Sequence, residues 1–104
     1  MELTRKNLKG SMVALVTPFR GGKIDERVIK RLLDFHLSEG TDIIVPVGTT
    51  GESTTLSHEE HKGVMSFVID YVNGRLPVIC GAGSNATSEA TGLLQHAKKS
   101  GADA

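Results

Sequence analysis

The residues with the clearest chemical potential are the paired hydroxyls of Thr49 and Thr50, set inside Gly48-Thr49-Thr50-Gly51-Glu52-Ser53. The flanking glycines, Gly48 and Gly51, let the backbone come close to a ligand, and a hydroxyl can both donate and accept a hydrogen bond. With amides free at the start of the next helix, such a loop is suited to holding an anion. Two other groups invite inspection. His58 and His61 form an H-x-x-H spacing, which without a third ligand carries little weight as a metal site. Two histidines on a helix are more ordinarily surface residues. Cys80 follows Val78-Ile79 and reads as an inert core residue, and one cysteine excludes an internal disulfide framework. No metal and no cofactor are expected.

The elements that must position these groups repeat three times as strand, loop and helix. Met12-Val13-Ala14-Leu15-Val16 reads as a buried strand closed by Thr17-Pro18-Phe19 and a Gly21-Gly22 loop. Asp25 is a good N-cap for a helix in which Val28, Ile29, Leu32, Leu33, His36 and Leu37 recur at helical spacing until Gly40. In the second unit, Ile43 to Val47 runs into the glycine-threonine loop, and Ser57 with Glu60 three residues on forms a capping box. Val64, Met65, Phe67, Val68, Ile69 and Val72 give that helix its apolar side, and Gly74 ends it. The third unit is Val78-Ile79-Cys80, the loop Gly81 to Asn85, and a helix from about Ser88 to Lys99 with Ala90, Leu93, Leu94 and Ala97 inward. Beyond it, Ser100-Gly101-Ala102-Asp103 echoes Glu39-Gly40-Thr41-Asp42, so a fourth strand is expected to begin there.

Apolar strands alternating with amphipathic helices predict a parallel sheet covered by helices. Ligands of such sheets gather at the carboxyl ends of the strands. There the loops contribute Thr17-Pro18, Gly48 to Ser53 and Gly81-Ala82-Gly83-Ser84-Asn85, all rich in glycine and small polar residues. The opposite loops are not comparably equipped, so the asymmetry places the site. Gly81, Gly83 and Ala86 also fit the G-x-G-x-x-A pattern of a dinucleotide-binding sheet. That pattern requires an acidic residue at the far end of the following strand, whereas Asp103 precedes it, and the loop is third in order instead of first.

Composition bounds the remaining choices. A chain of 104 residues is one small domain or a piece of a larger one, since domains run roughly 50 to 250 residues. Twelve basic residues balance twelve acidic ones, which gives no electrostatic case for nucleic acid or an anionic membrane. The apolar runs fall far short of the ~20 residues of a membrane span. No hydrophobic signal segment follows the polar arm Met1 to Gly10, and a reducing cytoplasm is the expected compartment.

The run Val13 to Phe19, the hexapeptide Gly48 to Ser53, Leu56 through His61, and Pro77 to Glu89 together resemble the amino-terminal part of the 4-hydroxy-tetrahydrodipicolinate (dihydrodipicolinate) synthase family of class I pyruvate-dependent aldolases. The resemblance spans nearly the whole chain. It implies that residues 1–104 supply the first three βα units of a (β/α)8 TIM barrel. It further implies a lyase that condenses pyruvate with aspartate semialdehyde through a Schiff base in lysine (diaminopimelate) biosynthesis, usually as a homotetramer of two tight dimers. Carried over by position, Thr50 resembles the residue that holds the pyruvate carboxylate, with Gly48 and Gly51 beside it. Thr49 resembles the threonine of a proton relay. Ser53, Thr54, His58, His61, Asn85 and Glu89 match the family's allosteric L-lysine site. Outside the resemblance, the two threonine hydroxyls could equally stabilise the turn.

The imine chemistry needs a buried lysine on a strand. Lys6, Lys9, Lys23, Lys30, Lys62, Lys98 and Lys99 all fall on the leading arm, a loop or a helix, and Tyr71 falls on a helix. A whole barrel takes about 250 residues, so the chain is expected to be a fragment, a truncated form or one part of a larger assembly, inactive alone. Two alternatives stand beside the synthase: a sibling lyase acting on N-acetylneuraminate or a keto-deoxy sugar acid, and a non-catalytic truncated interaction module.

Overall fold

The computed structural model describes residues 2–104; Met1, the first residue of the polar arm, lies outside the described residues. The order of elements is β1 (Met12–Ala14), β2 (Phe19–Arg20), β3 (Lys23–Ile24), α1 (Glu26–Ser38), β4 (Ile43–Val45), a 3-10 turn at Ser53–Thr55, α2 (His58–Val72) and α3 (Thr87–Ser100). β1 and β4 pair in parallel, with Met12 opposite Ile43, Val13 opposite Ile44 and Ala14 opposite Val45. The third expected strand, residues 78–80, joins the other edge of β4 through a parallel bridge between Ile44 and Val78. Ile44 N–H donates to Pro77 O at 3.1 Å and Ile79 N–H donates to Ile44 O at 2.9 Å. Residues 103 and 104 then lie beside the third segment, where Cys80 N–H donates to Ala104 O and Asp103 N–H to Val78 O, at 2.9 and 3.0 Å. The parallel (β/α) order expected from the sequence is therefore the order of the structure.

The first two expected strands end early, at Ala14 and Val45, and in β4 the reason is local. Pro46 has no N–H to give to a ladder, and Val47 turns into the left-handed region at φ 50°. β1 also differs from a strand buried throughout: Leu15 and Thr17 are buried, but Met12, Ala14 and Val16 are exposed, Val16 by half. Successive residues of a strand point to opposite faces, and helices cover one face only. The Gly21-Gly22 loop is the tight turn of a hairpin. β2 and β3 pair antiparallel, and both glycines have positive φ, 59° and 77°, as a two-residue turn between right-twisted strands requires. One consequence is that Lys23 lies on a short strand, β3, exposed and outside the parallel sheet.

The helices start where their caps direct. The Asp25 carboxylate accepts from the amides of Arg27 and Val28. Ser57 and Glu60 exchange both bonds of a capping box at the start of α2. Against the sheet residues Leu15, Ile44, Val47 and Val78 pack Ile29 and Leu33 of α1, Val64, Met65, Val68 and Val72 of α2, and Leu93 and Ala97 of α3. Each fully buried aliphatic chain contributes roughly 1.5–3 kcal/mol. Leu94, expected inward, is instead 58% exposed. At about 100° per residue it is turned off the stripe of positions 93 and 97, which are four apart.

Candidate functional site

Residues 46–53 make a compact turn at the carboxyl end of β4, and its shape is imposed by close packing. Val47, a β-branched residue, is held at φ 50°, and Glu52 at φ 61°. Such conformations cost of order 1–3 kcal/mol for a non-glycine residue and persist only where neighbours fix them. Here the neighbours are glycine backbones. A Cβ on Gly51 would stand 3.0 Å from the Val47 Cα and 3.1 Å from Leu15 O, and one on Gly81 would stand 2.2 Å from Val47 O. Across the same contact, Gly81 N–H donates to Pro46 O at 3.0 Å. Within the turn, Glu52 N–H donates to Thr49 O at 2.9 Å.

Two buried side chains from other parts of the chain secure this packing. Thr17, 4% exposed, donates its hydroxyl to Gly51 O at 2.7 Å. His61, 2% exposed, places its ring Nε2 2.6 Å from Gly81 O; since a carbonyl only accepts, that nitrogen carries the hydrogen. The burial of His61 corrects the expectation of an ordinary surface histidine. The side chains of Thr49 and Thr50 are both exposed, Gly48 is half-buried and Gly51 is buried.

The residues read as a second set converge. Ser53, Thr54, His58, His61, Asn85 and Glu89 line one cavity of about 360 Å³, joined by Thr49 from the glycine-threonine loop. Thr50, Gly48 and Gly51 are not among its walls. Glu89 is the charged group of this cavity: its Oε2 accepts from the Ser84 hydroxyl at 2.5 Å and stands 3.4 Å from His58 Nε2. The carboxylate is thus oriented by two neighbours while remaining open to a cationic ligand. Thr17 and Ser84, expected only as members of the converging loops, each make a specific bond, to Gly51 O and to Glu89. Ser84 stands in a hydroxyl-bearing loop five residues before Glu89, while Thr17 gives no local sign of its bond to Gly51.

Other reactive groups lie elsewhere. All seven lysines are exposed, with Lys30, Lys62, Lys98 and Lys99 on helices. Tyr71, on α2, donates to Asp34 at 2.6 Å, and that bond raises its pKa above the ordinary value. Burial, and then the Asp103 carboxylate, push the Cys80 thiol up to about 12. Among the described residues no group of three or more histidine, cysteine or acidic side chains is placed to hold a metal ion, and no helix is long and apolar enough to cross a membrane.

Residues 7–104 match the dihydrodipicolinate synthetase family. The chain is 55% identical over 100 residues to the 4-hydroxy-tetrahydrodipicolinate synthase of Bradyrhizobium diazoefficiens, covering 96% of this chain and 34% of that protein. Its fold superposes with a TM-score of 0.91 on dihydrodipicolinate synthase from Aquifex aeolicus, at 50% identity, covering 92% of this chain and 33% of the other. The chloride-inhibited dihydrodipicolinate synthase from Acinetobacter baumannii, solved in complex with pyruvate, matches at 46% identity and a TM-score of 0.88, over 92% of this chain and 33% of its own. The chain spans about a third of the length of the curated relatives that it matches.

Proposed function

Because the chain belongs to the dihydrodipicolinate synthetase family, we propose that it supplies the carboxylate cradle of a lyase that condenses pyruvate with aspartate semialdehyde in lysine biosynthesis. One observation carries this reading above the others. Within the matched stretch, the Thr49-Thr50 pair stands just beyond the carboxyl end of a parallel strand, in a turn whose backbone is fixed by Val47, Gly51 and Gly81. In this reading the Thr50 hydroxyl and amide bind the pyruvate carboxylate. Thr49 passes a proton to and from the imine nitrogen, since a hydroxyl can do so without a net change of charge.

The reacting amine comes from outside these 104 residues. A lysine amine attacks the keto carbon of pyruvate and water leaves, giving an imine. Loss of a methyl proton then gives an enamine, whose carbon attacks the aldehyde. A surface lysine with its charge in water is a poor candidate, and every lysine of this chain is of that kind. Other parts of the proposal are a cytoplasmic compartment and assembly as a dimer of dimers.

The cavity is proposed as a feedback site for L-lysine. Glu89 would pair with an ammonium group, Asn85 would hydrogen-bond the ligand's backbone groups, and Ser53, Thr54, His58 and His61 would shape the walls.

A hybrid in which this chain replaces the matching third of the Aquifex aeolicus synthase tests the assignment. With pyruvate and borohydride, the reduced adduct is expected on a lysine contributed by the Aquifex part. Stable addition to any lysine numbered within 1–104 would refute it.

A further inference from the structure

The cradle's two threonines are exposed. The side chain that bonds into the turn from elsewhere is that of Thr17, which stands beyond the end of β1, the strand next to β4 in the sheet. It reaches Gly51 O at 2.7 Å in a buried setting, across 34 positions of sequence. Gly51 is the pivot of the turn. It directly follows Thr50, a Cβ on it would press to 3.0–3.1 Å on the backbone of Val47 and Leu15, and the next residue, Glu52, is left-handed at φ 61°.

We propose that Thr17 is a positioning residue for the carboxylate cradle: by holding the Gly51 carbonyl it fixes the direction in which the Thr50 hydroxyl and amide are presented. This inference rests on the reading of Thr50 as the group that grips the keto acid's carboxylate. A peptide plane joins the two residues. Its C=O belongs to Thr50 and its N–H to Gly51, while the bonded Gly51 carbonyl begins the following plane. Fixing that plane removes the rotation that would let the Thr50 segment swing, because Glu52 beyond it is strained and Val47 before it is packed on Gly81. A hydroxyl is needed at position 17, not bulk, since the contact to Gly51 is a hydrogen bond to a carbonyl that would otherwise be buried without a partner.

Thr17→Val keeps the shape and removes the donor, whereas Thr17→Ser keeps the donor. Both are made in the hybrid synthase and read in two ways: amide hydrogen exchange across residues 49–53, and the steady-state constants for pyruvate. Thr17→Val is expected to speed exchange in that segment and to raise the pyruvate KM by about tenfold, the effect of one buried hydrogen bond, with kcat retained. Thr17→Ser is expected to behave as the parent. The proposal is overturned if Thr17→Val leaves exchange and KM unchanged, if Thr17→Ser is as impaired as Thr17→Val, or if only kcat and Tm fall. Should Thr17→Val fail to fold, Thr17→Ala carries the same two readouts. Loosened exchange in Thr17→Val together with an unchanged pyruvate KM in Thr50→Val would retain the anchor but refute the cradle, so the two failures are told apart.

Discussion

The imidazole Nε2 of His61 and the carbonyl oxygen of Gly81 are 2.6 Å apart, so one buried ring ties α2 to the loop that packs under Val47. The ring is at once a wall of the cavity and a prop of the turn that carries Thr49 and Thr50. His61→Leu removes the donor and strands the carbonyl. The expected loss of stability is about 1–3 kcal/mol, read as a lower midpoint in urea. His61→Gln, which keeps an N–H within reach, is expected to lose less. Equal losses in the two variants would show that the hydrogen bond contributes nothing.

Gly81 and Gly83 look alike in sequence but stand in different surroundings. A Cβ on Gly81 meets the Val47 carbonyl, which is backbone and cannot move aside, whereas a Cβ on Gly83 meets nothing within 4 Å. Gly81→Ala should therefore destabilise the fold by about 3 kcal/mol, at the upper end for overpacking. Gly83→Ala should fall within about 0.5 kcal/mol of the parent, as for an open surface site. Thermal or chemical unfolding of the pair measures the contrast.

Glu89 is held by Ser84 and faces His58. If the cavity takes L-lysine, Glu89→Gln should weaken that binding by at least tenfold, through the loss of a charge-assisted bond worth about 1.5–3 kcal/mol. The constants for pyruvate should be unaffected. Calorimetric titration of the hybrid with L-lysine decides the first point and a pyruvate series the second.

The Cys80 thiol, half-buried and pushed up to about 12, should react with iodoacetamide far more slowly at pH 8 than an unfolded cysteine, because the thiolate is the nucleophile. The sign of the linkage follows. A thiol whose pKa is raised by folding stays protonated in the native state while the unfolded chain releases its proton. Stability from this group is therefore complete below the ordinary thiol value of 9.0 and declines as the pH rises from there toward about 12. In Cys80→Ser that alkaline decline should be smaller.

What the sequence made legible was local. The N-cap of Asp25 and the box of Ser57 with Glu60 join residues two or three apart, and both form as expected. The echo between the segments ending at Asp42 and Asp103 also proves physical. Asp42, just before β4, accepts from Ser11 N–H at 2.7 Å at the start of β1, and Asp103 accepts from Val78 N–H at 2.9 Å at the start of the 78–80 segment. The hairpin at Gly21-Gly22 is likewise local, since a two-residue glycine turn closes it. By contrast, the bonds of Thr17 to Gly51 and of His61 to Gly81 span 34 and 20 positions. No periodicity or spacing encodes them, because they depend on which loops the finished sheet brings together. The exposure of Leu94 and Val16 is likewise decided by which faces the helices cover.

The most direct measurement is the pyruvate KM of Thr50→Val in the hybrid synthase, with Thr50→Ser as the conservative control. A rise of about tenfold or more is expected in Thr50→Val, the loss of a hydrogen bond to a charged ligand group, largely restored in Thr50→Ser. A pyruvate KM unchanged by Thr50→Val would contradict it.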